Sequence, residues 1–235
     1  MALERLDKLL AAAGLASRRE AKALVRQGRV TINGRAAVSP EEKLDAETVE
    51  LYLDGERVCC AKYRYFMLHK PAGVLSATED AAQKTVLELL PPALRRIGLC
   101  PVGRLDKDTT GLLLLTNDGE TAHRIISPKN HVPKLYRARV DGVLSEADEA
   151  AFAAGLVLAD GTRCLPARLE RMGLDEALVT VYEGKYHQVK RMLASRGAPV
   201  LALHRLQIGE LALPADLQAG QWRELDAKEM QKVLK

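Results

Sequence analysis

A chain of 235 residues, 47% apolar and 28% charged, is long enough for one large domain or two modest ones and has the balance of a globular protein. No run approaches the roughly 18 consecutive apolar residues of a membrane helix, the four cysteines form no CxxC pair, and the first residues are interleaved with charges where a secretory signal would be apolar. The expectation is a cytoplasmic protein with no membrane span and no structural zinc, and an aromatic content of 4% leaves little material for a base-stacking strip.

The net charge of +4 is unevenly spread: the first 35 residues carry eight Lys/Arg against three acids, so the rest of the chain is close to neutral. A compact basic module on a near-neutral body suits a polyanion, because phosphate contacts give affinity without reading sequence. Leu6, Leu9, Leu10 and Ala13 recur at helical spacing up to Gly14, which predicts a short amphipathic helix with a glycine cap. Ser17 is the expected N-cap of a second helix, with Glu20 as its capping-box partner and Ala21, Leu24 and Val25 as its buried stripe before Gly28. Arg18, Lys22 and Arg26 fall four residues apart on one face of that helix, where they repel unless an anion sits opposite. Residues 29–38 alternate around Asn33-Gly34, a strong hairpin signal. A strand is expected in VELYLDG (49–55), after which periodicity fades through 56–60. The domain boundary is drawn there, giving domains of 1–60 and 61–235 joined by a short hinge.

The segments RLDKLL and GLASRREAKALVRQGRVTINGR resemble the S4 RNA-binding domain in spacing as well as composition, over about residues 3–55. The resemblance implies that Arg18, Arg19, Lys22, Arg26 and Arg29 face RNA.

Beyond Lys62 the chain gives short apolar strands between Gly, Pro and Asn turns: YRYFMLHKP, TVLELLP, GLLLLTNDG, LYRARVDGV, ALVTVYEG and VLALHRLQIG. Helices are expected through SEADEAAFAAG and HQVKRMLASRG. Many connections are too short for helical crossovers, which predicts an α+β fold: a mixed, mainly antiparallel sheet with flanking helices. With no dinucleotide or P-loop glycine pattern, no nucleotide cofactor is expected. His69, His123, His131 and His204 lack metal-ligand spacing, so no metal is expected.

The loop Gly103-Arg104-Leu105-Asp106-Lys107-Asp108-Thr109-Thr110-Gly111 feeds the apolar run Leu112 to Leu115, a setting that holds a charged side chain rigidly. A calcium loop is excluded because Thr110 and Asn117 stand where ligand carboxylates belong. The full string GRLDKDTTGLLLLTNDG (103–119) is similar to the GRLDxxTTGLLLxTxDG signature of the RsuA-type, small-ribosomal-subunit pseudouridine synthases. KLYRARV (134–140) resembles the KxY motif of that family, and EGKYHQVKRM (183–192) its third motif, so that with the S4 module the resemblance spans essentially the whole chain.

The resemblance implies isomerisation of an RNA uridine to pseudouridine, a reaction that breaks the N-glycosidic bond, turns the uracil and rejoins it through carbon. No redox equivalents are consumed and no cofactor is demanded. Asp106 is then the nucleophile, Lys190 the cation that keeps it ionised, and Tyr136 the ring that stacks on uracil and relays a proton. Arg191 is the alternative partner for Asp106, and otherwise an RNA contact. Arg104 is expected to fill the space left by a flipped-out uridine or to pair with its phosphate. His187 is assigned to RNA contact or helix capping. The wording YHQVKRM resembles the small-subunit enzymes, which implies one uridine of 16S rRNA, naked or in an assembling small subunit, as the substrate of a monomer. A 23S rRNA target, a non-catalytic rRNA-binding or assembly protein, and a DNA-binding regulator are the alternatives. Whether Asp106 attacks ring or sugar, or assists elimination to a glycal, stays open.

Overall fold

The computed structural model describes residues 3–46 and 48–234. They form two compact units, one of residues up to 64 together with 90–99, the other of residues 65–89 and from 100 onward.

In the first unit β1 (Leu3–Arg5) leads into α1 (Leu6–Ala12), and α2 (Arg18–Arg26) follows. The Glu20 N–H donates to Ser17 Oγ at 3.2 Å and the Ser17 N–H donates to Glu20 Oε2 at 2.6 Å, closing the capping box. Leu6, Leu9, Leu10, Ala21 and Val25 bury their side chains with Val30, Ile32 and Leu51 in one core; Leu24 is only partly buried. Strands β2 (Val30–Ile32) and β3 (Arg35–Ala36) form a hairpin on Asn33 (φ 47°) and Gly34 (φ 80°), the left-handed pair that such a turn needs. β4 (Lys43–Asp45) pairs with β1. β5 (Leu51–Leu53) pairs with β2 and turns through Asp54 (φ 51°) and Gly55 (φ 83°) into β6 (Glu56–Arg57). The stretch expected to be aperiodic after residue 55 thus opens with a second hairpin, whose Asp-Gly signal is of the same kind as Asn-Gly. Segment 90–99, with α3 (Pro92–Arg95), buries Leu90, Leu94, Ile97 and Leu99 and belongs to this unit, an excursion that one cut near residue 60 does not provide.

The second unit is a nine-stranded mixed sheet with helices. Its strands are β7 (Tyr65–Lys70), β8 (Cys100–Pro101), β9 (Thr110–Thr116), β10 (Lys134–Val140), β11 (Arg168–Arg171), β12 (Glu176–Val181), β13 (Val200–Ile208), β14 (Leu211–Ala212) and β15 (Trp222–Glu224). They lie in the order β11-β12-β10-β13-β9-β7-β15, with β14 added to β13 and β8 to β9. All pairs are antiparallel except β9 with β13. The helices are α4 (Gly119–Ile126), α5 (Glu146–Ala154), α6 (Gln188–Ala194) and α7 (Ala227–Val233). Leu112, Leu113, Leu114 and Leu115 on β9 are all buried, so the unbroken apolar run reflects a strand covered on both faces. Each such leucine contributes on the order of 1.5–3 kcal/mol.

Two local expectations are corrected. TVLELLP is a single 3-10 turn over Val86–Leu89, not a strand: Glu88 Oε1 accepts the Thr85 N–H at 2.9 Å, a capping-box pattern that overrides the apolar run. The Asn-Asp-Gly after β9 opens a helix, because Asp118 Oδ1 accepts the Thr121 N–H at 3.2 Å and caps α4.

The register positions the site. Lys70 of β7 pairs with Gly111 of β9, Gly111 with Arg205 of β13, and Arg205 with Tyr136 of β10. One cross-strand row therefore joins four residues far apart in sequence. The β10–β13 ladder slips by one residue between Leu135 and Tyr136, a bulge of the kind that re-aims a side chain beside a site.

Candidate active site

A cavity of about 480 Å³ is lined by Arg104, Asp106, Lys134, Tyr136, His187 and Arg205, among others, within the roughly 300–1,000 Å³ of small-ligand pockets. Asp106 and Tyr136 also border a smaller recess of about 80 Å³ with Thr109 and Leu203. The sequence-predicted Asp106, Tyr136 and Arg104 are brought together here.

Asp106 sits on a loop pinned from below by backbone contacts. The Thr109 N–H donates to the Asp106 carbonyl (3.1 Å), and Leu105 exchanges two hydrogen bonds with the Ser76 hydroxyl at 2.9 and 3.1 Å. The ammonium of Lys70, fully buried, donates to the carbonyls of Pro71, Lys107 and Thr109 at 3.1, 3.2 and 2.9 Å. Burial pulls the Lys70 amine down to about 8, with Asp108 and Asp106 acting in the opposite direction. Gly111 ends the loop at φ 105°, and a Cβ there would lie 2.3 Å from the Arg205 carbonyl oxygen. Glycine is what lets β9 lie flush against β13.

The Asp106 side chain is 27% exposed, and Lys190 Nζ lies 3.2 Å from its Oδ2. The same ammonium donates to Asp108 Oδ1 at 2.6 Å, so it is shared between two carboxylates. Burial opposes the Lys190 charge, but hydrogen bonds to Asp108 and Asp106 outweigh it and hold the amine above its ordinary value. The Lys190 hydrogen bond in turn lowers the Asp108 carboxyl. Arg191, the alternative partner, pairs instead with Asp160 at 2.6 Å. Val189, Met192 and Leu193 bury the opposite side of α6 and aim Lys190 at the loop.

His187 precedes α6 in the left-handed region (φ 47°, ψ 34°). Its side chain does not cap the helix, which removes the capping assignment; instead Nε2 stands 3.5 Å from Asp106 Oδ1. A non-glycine residue in this region costs on the order of 1 kcal/mol and clusters at functional sites. The turn before it is fixed by buried Glu183, which accepts from the Leu165 N–H at 2.8 Å and from Gln188 Nε2 at 2.9 Å.

Three cavity or loop residues lay outside the sequence-based set. Arg205, 3% exposed, donates from Nε to the Leu112 carbonyl (2.7 Å) and from Nη1 to the Tyr136 hydroxyl (3.3 Å), while its buried Nη2 has no partner among the described residues. Lys134 donates to the Ile125 and Val132 carbonyls at 3.3 and 2.9 Å, and burial followed by the Arg205 charge lowers its amine to about 8. Lys70 is the third. The strict alternation of KLYRARV places Lys134 on the same inward parity as Tyr136, a signal legible in the sequence. For Arg205 the signal was a cation two residues after Leu203, on the parity of that buried side chain in β13.

In the first unit Arg18, Arg19 and Lys22 line a hollow of about 360 Å³ with Arg5 and Asp7. Arg18, Arg19 and Arg26 are exposed and Lys22 half-buried. Arg29 is committed elsewhere, gripping Asp54 through two hydrogen bonds at 2.9 and 2.5 Å. Arg104 is exposed at the cavity.

The second unit thus carries a carboxylate–lysine pair at a cavity, and the first unit a cluster of basic side chains. The sequence matches the family described as RNA pseudouridylate synthase over residues 64–195, and the S4 domain over residues 4–49. It is 45% identical over 230 residues to an uncharacterized RNA pseudouridine synthase of Bacillus subtilis, covering 96% of both chains. It is 40% identical over 232 residues to the ribosomal small subunit pseudouridine synthase A of Vibrio cholerae, covering 98% of this chain and 100% of that one. A solved pseudouridylate synthase, 38% identical, superposes with a TM-score of 0.69 over 97% of this chain and 99% of that one. The chain belongs to the RNA pseudouridylate synthase family and carries an S4 domain.

Proposed function

We propose that this protein converts a single uridine of 16S rRNA, naked or in an assembling small subunit, to pseudouridine, with Asp106 as the nucleophile. The observation that carries the proposal is Asp106 at the cavity with the Lys190 ammonium 3.2 Å away, a carboxylate–cation pair at the mouth of a pocket that also holds Tyr136 and Arg104. Relatives named for the small ribosomal subunit, aligned end to end, support the choice of RNA.

The N1–C1′ bond breaks, the uracil turns, C5 bonds to C1′, and the proton leaves C5 while N1 gains one. Asp106 promotes this exchange by attack on the ring or the sugar or by assisting elimination to a glycal, and is released again when the C5–C1′ bond is made. Tyr136 offers its ring face to the uracil and its hydroxyl to the migrating proton, the Arg205 guanidinium fixing that oxygen from behind. The target is flipped out of the RNA at a cost of a few kcal/mol, which Arg104 at the cavity offsets by filling the gap or holding the flanking phosphate. Arg18, Arg19, Lys22 and Arg26 supply sequence-independent phosphate contacts.

Loss of the C5 proton gives the test. Native protein is expected to release tritium from 5-tritiated uridine in a 16S transcript or in partly assembled small subunits, at one site mapped by carbodiimide-blocked primer extension, and Asp106→Asn to release none. Release from 23S RNA alone would reassign the substrate, and equal release by Asp106→Asn would remove the nucleophile.

A further inference from the structure

Tyr186 takes no part in the chemistry above, yet it borders the cavity with its side chain 72% exposed. Its ring lies on the imidazole of His187, centroids 3.9 Å apart and planes 17° from parallel. Side chains of consecutive residues in extended backbone point to opposite sides; the left-handed conformation of His187 brings these two face to face. A backbone conformation of this kind at a cavity rim is a pointer to function. His187 is in turn held 3.5 Å from Asp106. Carboxylate, imidazole and phenol thus form a ladder leading outward from the nucleophile, and it ends in an aromatic face open to solvent. In a chain with 4% aromatic residues, that placement is conspicuous.

Flipping a nucleotide strips its neighbour of one stacking partner, and an aromatic side chain replaces such a partner for any base, because every base has a π-face. We infer that Tyr186, backed by His187, is a stacking platform for the unpaired base adjacent to the target uridine. The inference rests on the site's acting on an RNA uridine. It assigns Tyr186 to substrate positioning, and the ring rather than the hydroxyl does the work.

The test compares kcat/KM for tritium release by native protein, Tyr186→Ala, Tyr186→Phe and Tyr186→Trp on whichever rRNA transcript the native protein modifies. Tyr186→Ala is expected to lose about tenfold or more, the size of a base–aromatic stack, and the Phe and Trp variants to recover most of the loss. A second measurement needs no turnover: Asp106→Asn protein is bound to an rRNA hairpin carrying 2-aminopurine beside the target uridine. Fluorescence should be quenched with Tyr186 present and restored in the Asp106→Asn, Tyr186→Ala double variant. Unchanged kcat/KM in Tyr186→Ala, a Phe variant as weak as Ala, or identical fluorescence with and without the ring each overturns the platform. If native protein released tritium from no rRNA, the functional proposal would fail and the platform with it; release by native protein that Tyr186→Ala matches would overturn the platform alone.

Discussion

At the scale of single residues, the site depends on one glycine and one shared cation. Gly111 occupies the middle of the row that runs from Lys70 through Arg205 to Tyr136. Adding a methyl group there forces it to within 2.3 Å of the Arg205 carbonyl and keeps a left-handed φ that alanine resists. Gly111→Ala is therefore expected to lower stability by about 1–3 kcal/mol or more, read as a lower urea midpoint, and to reduce tritium release by shifting the loop that carries Asp106. Lys190 has two carboxylate partners, of which Asp108, the closer, is 75% exposed. An ion pair that open to water contributes about 0–1 kcal/mol, so Asp108→Asn should leave the urea midpoint nearly unchanged.

At the scale of elements, what was legible in the sequence was local. The capping box of α2 and the Asn33-Gly34 hairpin are written in adjacent residues, and both appear as expected. Asp54-Gly55 and Thr85-x-x-Glu88 were equally local, but each was overshadowed by the hydrophobic run beside it. Asp106 and Tyr136 could be found because they stand in long motifs. Lys70 and Arg205 could not be placed without the register, since their neighbours across the sheet come from strands that periodicity cannot pair. A local device gives a local test: Ser17→Ala removes the acceptor of the Glu20 N–H and should destabilise the first unit by about 1 kcal/mol. Thermal unfolding of the full chain, followed by amide exchange along α2, would detect it.

At the scale of the whole molecule, two buried lysines impose a pH dependence. Lys70 and Lys134 each titrate near 8 in the folded protein against 10.5 for the ordinary amine, burial being the first cause. Between those values the unfolded chain binds more protons than the folded one, so stability rises with pH across this window; below pH 8 both states are protonated and the burial penalty is at its full value. In Lys70→Met one of the two contributions is gone. Urea titrations of the two proteins at pH 7 and pH 10 should show native stability gaining on the variant as pH rises, by up to about 3 kcal/mol; a difference independent of pH would mean that Lys70 is not buried as a charge.

The parallel junction of β9 with β13 also sets a schedule. Thr110 and His204, which meet there through a 2.8 Å hydrogen bond, are 94 residues apart. A nascent chain emerging at about 5–20 residues per second has exposed the loop that carries Asp106 for roughly 5–20 s before the strand that walls it arrives. Asp106 spends that interval without Arg205 behind its strand, and most of it without Lys190. On the function proposed above, the basic first unit is made well before the Asp106 site is complete, because that site lacks its wall until β13 lies between β10 and β9.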